Sequence, residues 1–275
     1  MKRLIILLGV MFALAGWSFG FEPGWLQQRQ LALTAPGWTG KPLTIAVAAD
    51  LHVGAPHAGP AMLRRVVDQL NAAQADLILL PGDFMIQGII GGQPATPEAI
   101  AAELARLKAP LGVFATLGNH DWWYDGERVR KALESAGIVV IENGAVPLPT
   151  PDGPLWLVGI GDDMTGHAHP AKALAGLPAA AKAIVMMHDP ANAPALPANA
   201  LVAFAGHTHG GQVRLPFIGA LITPGRAPRQ HAYGWIPDVP APTWVTSGVG
   251  TSILPIRFNC PPETVVLRLS GKETS

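Results

Sequence analysis

Oxygen and imidazole side chains recur in this chain directly after short apolar runs: Asp50 and His52, Asp83, Asn119 and His120, His188, then His207 and His209. The most pointed stretch is Gly206-His207-Thr208-His209-Gly210-Gly211-Gln212. In an extended backbone residues two apart face the same side, so both imidazoles would leave the end of a strand together. The flanking glycines permit a sharp turn and a close approach. Neutral imidazole suits zinc, iron, manganese and similar ions. Singly, each position has an ordinary explanation: an Asp after a strand caps or turns the chain, and a loop histidine needs no ligand. Jointly, Asp50, His52, Asp83, Asn119, His188, His207 and His209 make a ligand set too large for one ion. It suits two divalent ions sharing a carboxylate, and Asp83, with two oxygens, is the natural bridge. Two such ions, two carboxylates and a bridging hydroxide leave a net positive centre that attracts a phosphoryl oxyanion, and the hydroxide could attack phosphorus in line.

Such residues converge only if the strands run side by side. Apolar runs at 43–49, 77–80, 111–116 and 138–141 read as strands, and helical spacing appears over 60–73, 97–107 and 126–136. This alternation predicts an α/β fold with largely parallel pairing, in which ligands bind beyond the carboxyl ends of strands. The second half is leaner in helix, with strands at 155–160, 183–187, 201–205, 244–247 and 264–269 and proline-rich loops at 189–200 and 216–243. Two stacked sheets with helices outside accommodate so many strands. No composition break divides residues 43–270, which are read as one domain.

The composition narrows the function further. Nineteen basic and nineteen acidic residues in 275 cancel, so no footprint for nucleic acid is present. One cysteine, Cys260, excludes an internal disulfide framework and a Cys-based zinc site. Lys2 and Arg3 precede an uncharged stretch from Leu4 to Phe21, about 18 residues and near the minimum for a membrane span. Residues 1–21 are therefore read as a membrane anchor, favoured over a cleaved signal, with the remainder on the outer side of the membrane; cleavage would leave the protein secreted. Residues 22–42, with Pro23, Pro36 and Pro42, read as a linker. No protein partner is predicted.

Asp50-x-His52, Gly82-Asp83, Gly118-Asn119-His120-Asp121, His188 and Gly206-His207-x-His209 resemble, in order, the five blocks of the calcineurin-like metallophosphoesterases. The runs 206–216, 247–250 and 255–263 resemble the membrane-associated or exported bacterial branch. The resemblance implies two mixed β-sheets sandwiched between α-helices. It also implies that Asp50, His52 and His209 hold one ion, that Asn119, His188 and His207 hold the other, and that Asp83 bridges. His120 would face the phosphate and protonate or stabilise the leaving oxygen, with Asp121 orienting it or capping the turn. The Asp-Arg pair that follows Gly-Asp in the family's protein phosphatases is replaced here by Phe84-Met85-Ile86-Gln87, which argues against phosphoprotein substrates. The expected activity is hydrolysis of a phosphate mono- or diester of the cell envelope, such as a phospholipid, sugar-lipid or wall polymer. Alternatives are a UDP-sugar-lipid pyrophosphatase, or a binding module without turnover on the same fold.

Other residues carry weaker signals. Trp122, Trp123 and Tyr124 would either wall the substrate site or simply pack their loop. His167 and His169 read as loop residues, His57 and His231 as surface histidines, and Gly161 to Asp163 as a turn. Arg257 could reach a phosphate, but reads first as a structural ion pair.

Overall fold

In the computed structural model, residues 1–150, 153 and 155–271 are described. Among them are fourteen strands and five α-helices. The first half contains α1 (Lys2–Ala15), β1 (Gln27–Thr34), β2 (Leu43–Val47), α2 (Pro60–Ala72), β3 (Leu77–Pro81), α3 (Pro97–Leu104), β4 (Val113–Thr116), α4 (Asn119–Ser135) and β5 (Val139–Val140). There follow β6 (Gly144–Leu148), β7 (Leu155–Ile160), α5 (Pro170–Ala175), β8 (Lys182–Met187), β9 (Ala200–Ala205), β10 (Arg214–Leu215), β11 (Gly219–Ala220), β12 (Gly234–Trp235), β13 (Thr243–Val245) and β14 (Glu263–Ser270).

Two six-stranded sheets result, ordered β1-β14-β2-β3-β4-β5 and β12-β13-β9-β8-β7-β6, with β10 and β11 forming a separate hairpin. Both sheets are mixed: β2 to β5 and β7 to β9 run parallel, while β14 meets β2 and β6 meets β7 antiparallel. Alternation along the strands explains the layering. Ile45, Val47, Leu77 and Leu79 face Ile184, Met186, Val202 and Phe204 between the sheets. The intervening Ala46, Ile78 and Leu80 meet Leu63, Val67, Ile100, Leu104 and Leu133 of α2, α3 and α4. On the other side Val185, Met187, Ala203 and Ala205 meet Ala173 of α5 and Ala193. The result is the expected α/β sandwich, with strands buried on both faces and hence continuously apolar in sequence.

The expected linker is corrected in part. Residues 27–34 form β1, an edge strand parallel to β14 over eight residue pairs, and only Leu31 and Leu33 reach the inter-sheet core. Edge position explains its polar outer residues and its weak apolar signal. Strand β6 contains Pro147 and is likewise an edge, where a missing N–H is tolerated. Helix α4 starts at Asn119, earlier than its apolar spacing indicates, because it is broken at Asp125 (φ −173°, ψ 87°) into a short first turn and the amphipathic stretch beyond.

Candidate metal centre

The carboxyl ends of β2, β3, β4, β8 and β9 lie together, and each delivers its polar residues to one buried point. Asp50, His52, Asp83, Asn119, His188, His207 and His209 are all 4% exposed or less. Five of them, Asp50, His52, Asp83, His207 and His209, have φ between 40° and 67°. Non-glycine residues avoid this left-handed region, at about 1–3 kcal/mol each where it must be adopted. Such clustering is found where side chains must be aimed rather than merely packed. Gly248 (φ 65°) lets the 247–250 loop approach: a Cβ there would stand 2.6 Å from Asp50 Oδ2.

Hydrogen bonds on the far side of each ring define which nitrogen faces the centre. His52 Nδ1 donates to Met85 O at 2.7 Å, His209 Nδ1 to Gly250 O at 3.2 Å, and His188 Nδ1 to Pro81 O at 2.8 Å. The Nε2 lone pairs of His52 and His209 then point at one another, 3.0 Å apart. His188 Nε2 faces Asn119 Oδ1 at 3.2 Å, His207 Nδ1 at 3.1 Å and Asp83 Oδ2 at 3.3 Å. Asp83 Oδ2 is also 3.5 Å from His52 Nε2, so it touches both groups. Asp50 Oδ2 is buried with no hydrogen bond. Acceptors converging on acceptors are repulsive without a cation, so the donor set fits metal ions. It divides into Asp50, His52, Asp83 and His209, and Asp83, His188 and His207, each with ligand atoms within 4.8 Å of one another.

The electrostatics agree. Burial pushes the Asp50 carboxyl up to about 7 and lowers His52 to about 4 and His207 to about 3. Burial also opposes charge on His188 and Asp83, yet their mutual attraction wins: His188 is held well above its ordinary value and Asp83 well below. The point between them is thus one where positive charge is favoured, by a proton or by an ion.

Around this centre the structure redistributes several expected roles. Asp121 does not orient His120. Its buried carboxylate accepts the backbone N–H groups of Asp83 and Gly118 at Oδ2 (both 2.9 Å) and of Phe84 (2.9 Å) and Met85 (3.0 Å) at Oδ1. It is the clamp that holds the β3 loop against the start of α4. The orienting residue is Gln87, whose Oε1 is 2.9 Å from His120 Nδ1 while its Nε2 donates to His120 O at 2.9 Å. His120 Nε2 is thereby turned toward the 252–254 loop, where Ser252 Oγ lies at 3.4 Å.

Gln87 escaped sequence reasoning, although a lone amide ending the apolar run 84–86 is a usable signal. Asp189 escaped it too: its Oδ2, buried and unpartnered, stands 3.7 Å behind His207 Nε2, where a carboxylate can orient the ring. Among the described residues Arg257 makes no ion pair. It is fully buried and donates to the carbonyls of Cys260 (2.9 Å), Ser247 (2.9 Å), Gly248 (3.2 Å) and Gly250 (2.5 Å), bracing the loop that packs on Asp50 and His52.

The aromatic run divides. Trp122 joins the core and stacks on His167, with centroids 3.7 Å apart, whereas Trp123 is 56% exposed and meets His120 edge-on at 4.9 Å. His57 lies at the surface and His167 and His169 in a loop as expected, but His231, expected at the surface, is buried with neither ring nitrogen hydrogen-bonded. Asp162 forms the expected turn, accepting the Thr165 N–H at 2.7 Å.

Comparison with known proteins agrees with this geometry. The model of the calcineurin-like phosphoesterase family matches residues 43–211, and the chain belongs to that family of hydrolytic metalloenzymes. It is 32% identical over 217 residues to the uncharacterized metallophosphoesterase YkuE of Bacillus subtilis, covering 76% of this chain and 73% of the relative. It is also 32% identical to phosphodiesterase YaeI of Escherichia coli, covering 92% of each chain. It is 25% identical to the UDP-2,3-diacylglucosamine pyrophosphatase LpxG of Chlamydia trachomatis, again over 92% of each.

Proposed function

We propose that this protein is a membrane-anchored dimetal phosphoesterase that hydrolyses a mono- or diester of the cell envelope, with its domain on the outer side. The observation that carries the reading is the convergence of imidazole and carboxylate lone pairs, bridged by Asp83, beside His120. Asp50, His52 and His209 would hold one ion, Asn119, His188 and His207 the other, and Asp83 both. Two divalent ions supply charge for the phosphoryl oxygens and lower the pKa of a water held between them. The chain's own residues do the rest. With Nδ1–H donated to Gln87, His120 in its imidazolium form holds its second proton on Nε2 and would pass it to the leaving oxygen, becoming neutral. Burial lowers the His120 pKa, which makes its imidazolium the stronger acid while reducing the fraction that carries the proton. Anchoring is supported by residues 2–24, one helix long and apolar enough to cross a membrane. The names of YaeI and LpxG support substrates with a substituent on each side of phosphorus.

The test is a panel of chromogenic mono- and diesters, a pyrophosphate and a phospholipid, assayed beside metal analysis. Two ions per chain and loss of hydrolysis on chelation, restored by manganese, iron or zinc, are expected. Full activity in metal-free protein would refute the reading. A finer test is Gln87→Leu, which frees the His120 ring while filling similar space. It should lower kcat by about tenfold with KM little changed, and flatten the pH profile for substrates with poor leaving groups. An activated leaving group, needing no proton, should be spared; equal loss on both would mean that Gln87 only supports the fold.

A further inference from the structure

The end of the N-terminal helix is not merely tethered to the domain; it is gripped by it. Arg257 N–H donates to Ser18 O at 2.9 Å, Cys260 N–H to Glu22 Oε1 at 2.5 Å, and His57 Nε2 lies 2.8 Å from Phe19 O. Trp17, Phe21 and Trp25 form a partly exposed aromatic collar at this junction, with centroids 4.9 to 6.0 Å apart. Such a collar is suited to the membrane interface.

The segment that grips the helix is hydrogen-bonded directly to the loops at the site mouth. Arg214 N–H donates to Phe258 O at 2.9 Å and Phe258 N–H to Gln212 O at 2.8 Å. The Gln212 side chain then holds Ser252 N–H (2.7 Å) and Leu254 O (3.3 Å). These elements expose large apolar side chains together: Phe217 is fully exposed at the tip of the β10–β11 hairpin, with Ile222 and Ile253 each at 77%. Their neighbours Ile218 and Leu254 are exposed as well. Clustered apolar exposure of this kind marks an interaction surface rather than ordinary solvent-facing residues. Between the helix end and the hairpin base lies a cavity of about 660 Å³ whose lining includes Trp17, Glu22, Trp25, Arg29, Arg214 and Tyr233. Arg29 donates to Tyr233 Oη at 2.9 Å and pairs with Glu263 at 3.4 Å, and the Arg214 guanidinium stands 5.0 Å over the same ring, so the aromatic wall beside the anchor carries both signs of charge.

We propose that the hairpin tip, Ile222 and the 253–254 loop seat in the interface of the same bilayer that receives the N-terminal helix. The site mouth, where Ser252 meets His120, then takes its phosphoester from the plane of lipid headgroups. The occupant is a lipid surface because this apolar patch is continuous with the anchor through the contacts above, at the aromatic collar that suits the membrane interface. The inference rests on the anchor reading, and the test separates the two.

Cys260 is buried, so in the full-length chain single cysteines introduced as Leu8→Cys, Phe217→Cys, Ile253→Cys and Ser135→Cys can each carry an environment-sensitive fluorophore. The proteins are reconstituted into phosphatidylethanolamine and phosphatidylglycerol vesicles containing chain-brominated lipid. Quenching at 8, 217 and 253, with none at 135, is expected. Quenching at 8 alone overturns the seating and leaves the anchor. No quenching at 8 overturns the anchor reading and the seating with it.

Function is read with Phe217→Asp combined with Ile222→Asp. Turnover of a vesicle-embedded phospholipid should fall about tenfold or more, while turnover of a soluble chromogenic diester stays unchanged. Unchanged turnover of both overturns the claim that substrate comes from the membrane plane, and so does equal loss of both.

Discussion

Asp83→Asn is expected to lower kcat/KM by about a thousandfold or more and to reduce bound metal from two ions to at most one. Among the described residues Asp83 alone belongs to both ligand groups: its Oδ2 lies 3.5 Å from His52 Nε2 and 3.3 Å from His188 Nε2. The amide keeps the size of the carboxylate, and its oxygen can still accept the His120 N–H that Asp83 Oδ1 holds at 2.8 Å. What it loses is one negative charge and one lone-pair oxygen at the point shared by both ions, replaced by an N–H donor aimed at cations. Asp50→Asn is the informative contrast. Asp50 belongs to one group only, with Oδ1 held by the His207 N–H at 2.9 Å, so a single ion should weaken and excess metal should rescue activity. Metal counting by mass spectrometry or emission, beside kinetics across a metal titration, separates the two. Two tightly held ions in Asp83→Asn would remove the bridge from the mechanism.

The same residues show why the site was legible before the fold was known, and where reading stopped. The central strands are buried on both faces, so they appear as unbroken apolar runs and their polar termini stand out. Edge strands β1 and β6 have no such contrast, which is why β1 passed for a linker. The pair His207 and His209 was found through an extended-backbone argument that the structure does not follow. Both residues are left-handed, and His209 opens a short 3-10 turn, so the imidazoles diverge: His207 Nδ1 meets His188, and His209 Nε2 meets His52. The division of the pair came from family resemblance, not from spacing. Spacing also says nothing of contacts formed across the fold. Gln87 and His120 are 33 residues apart, and Ser252 and His120 are 132 apart. Arg257 was singled out for its charge, but its partners are backbone carbonyls, which carry no mark in a sequence.

Asp121 gives the sharpest test of that distinction, because its two possible roles differ in what its loss would do. Each carboxylate oxygen accepts two backbone N–H groups, Asp83 and Gly118 at one, Phe84 and Met85 at the other. In Asp121→Asn one oxygen becomes an NH₂, and whichever way the amide turns, two buried N–H donors face a donor. Each orphaned donor costs about 1–3 kcal/mol, so the metal-loaded protein should lose about 2–6 kcal/mol of stability. For a domain of this size that is a fall in Tm of about 5–15 °C. The same rupture frees the loop that aims Asp83, so metal affinity should drop together with stability, and high metal concentration should recover part of kcat. A residue that only oriented His120 would leave Tm and metal affinity unchanged and lower kcat alone. Calorimetry of the variant with and without divalent metal decides between clamp and orienter, and a Tm equal to that of the parent protein would refute the clamp.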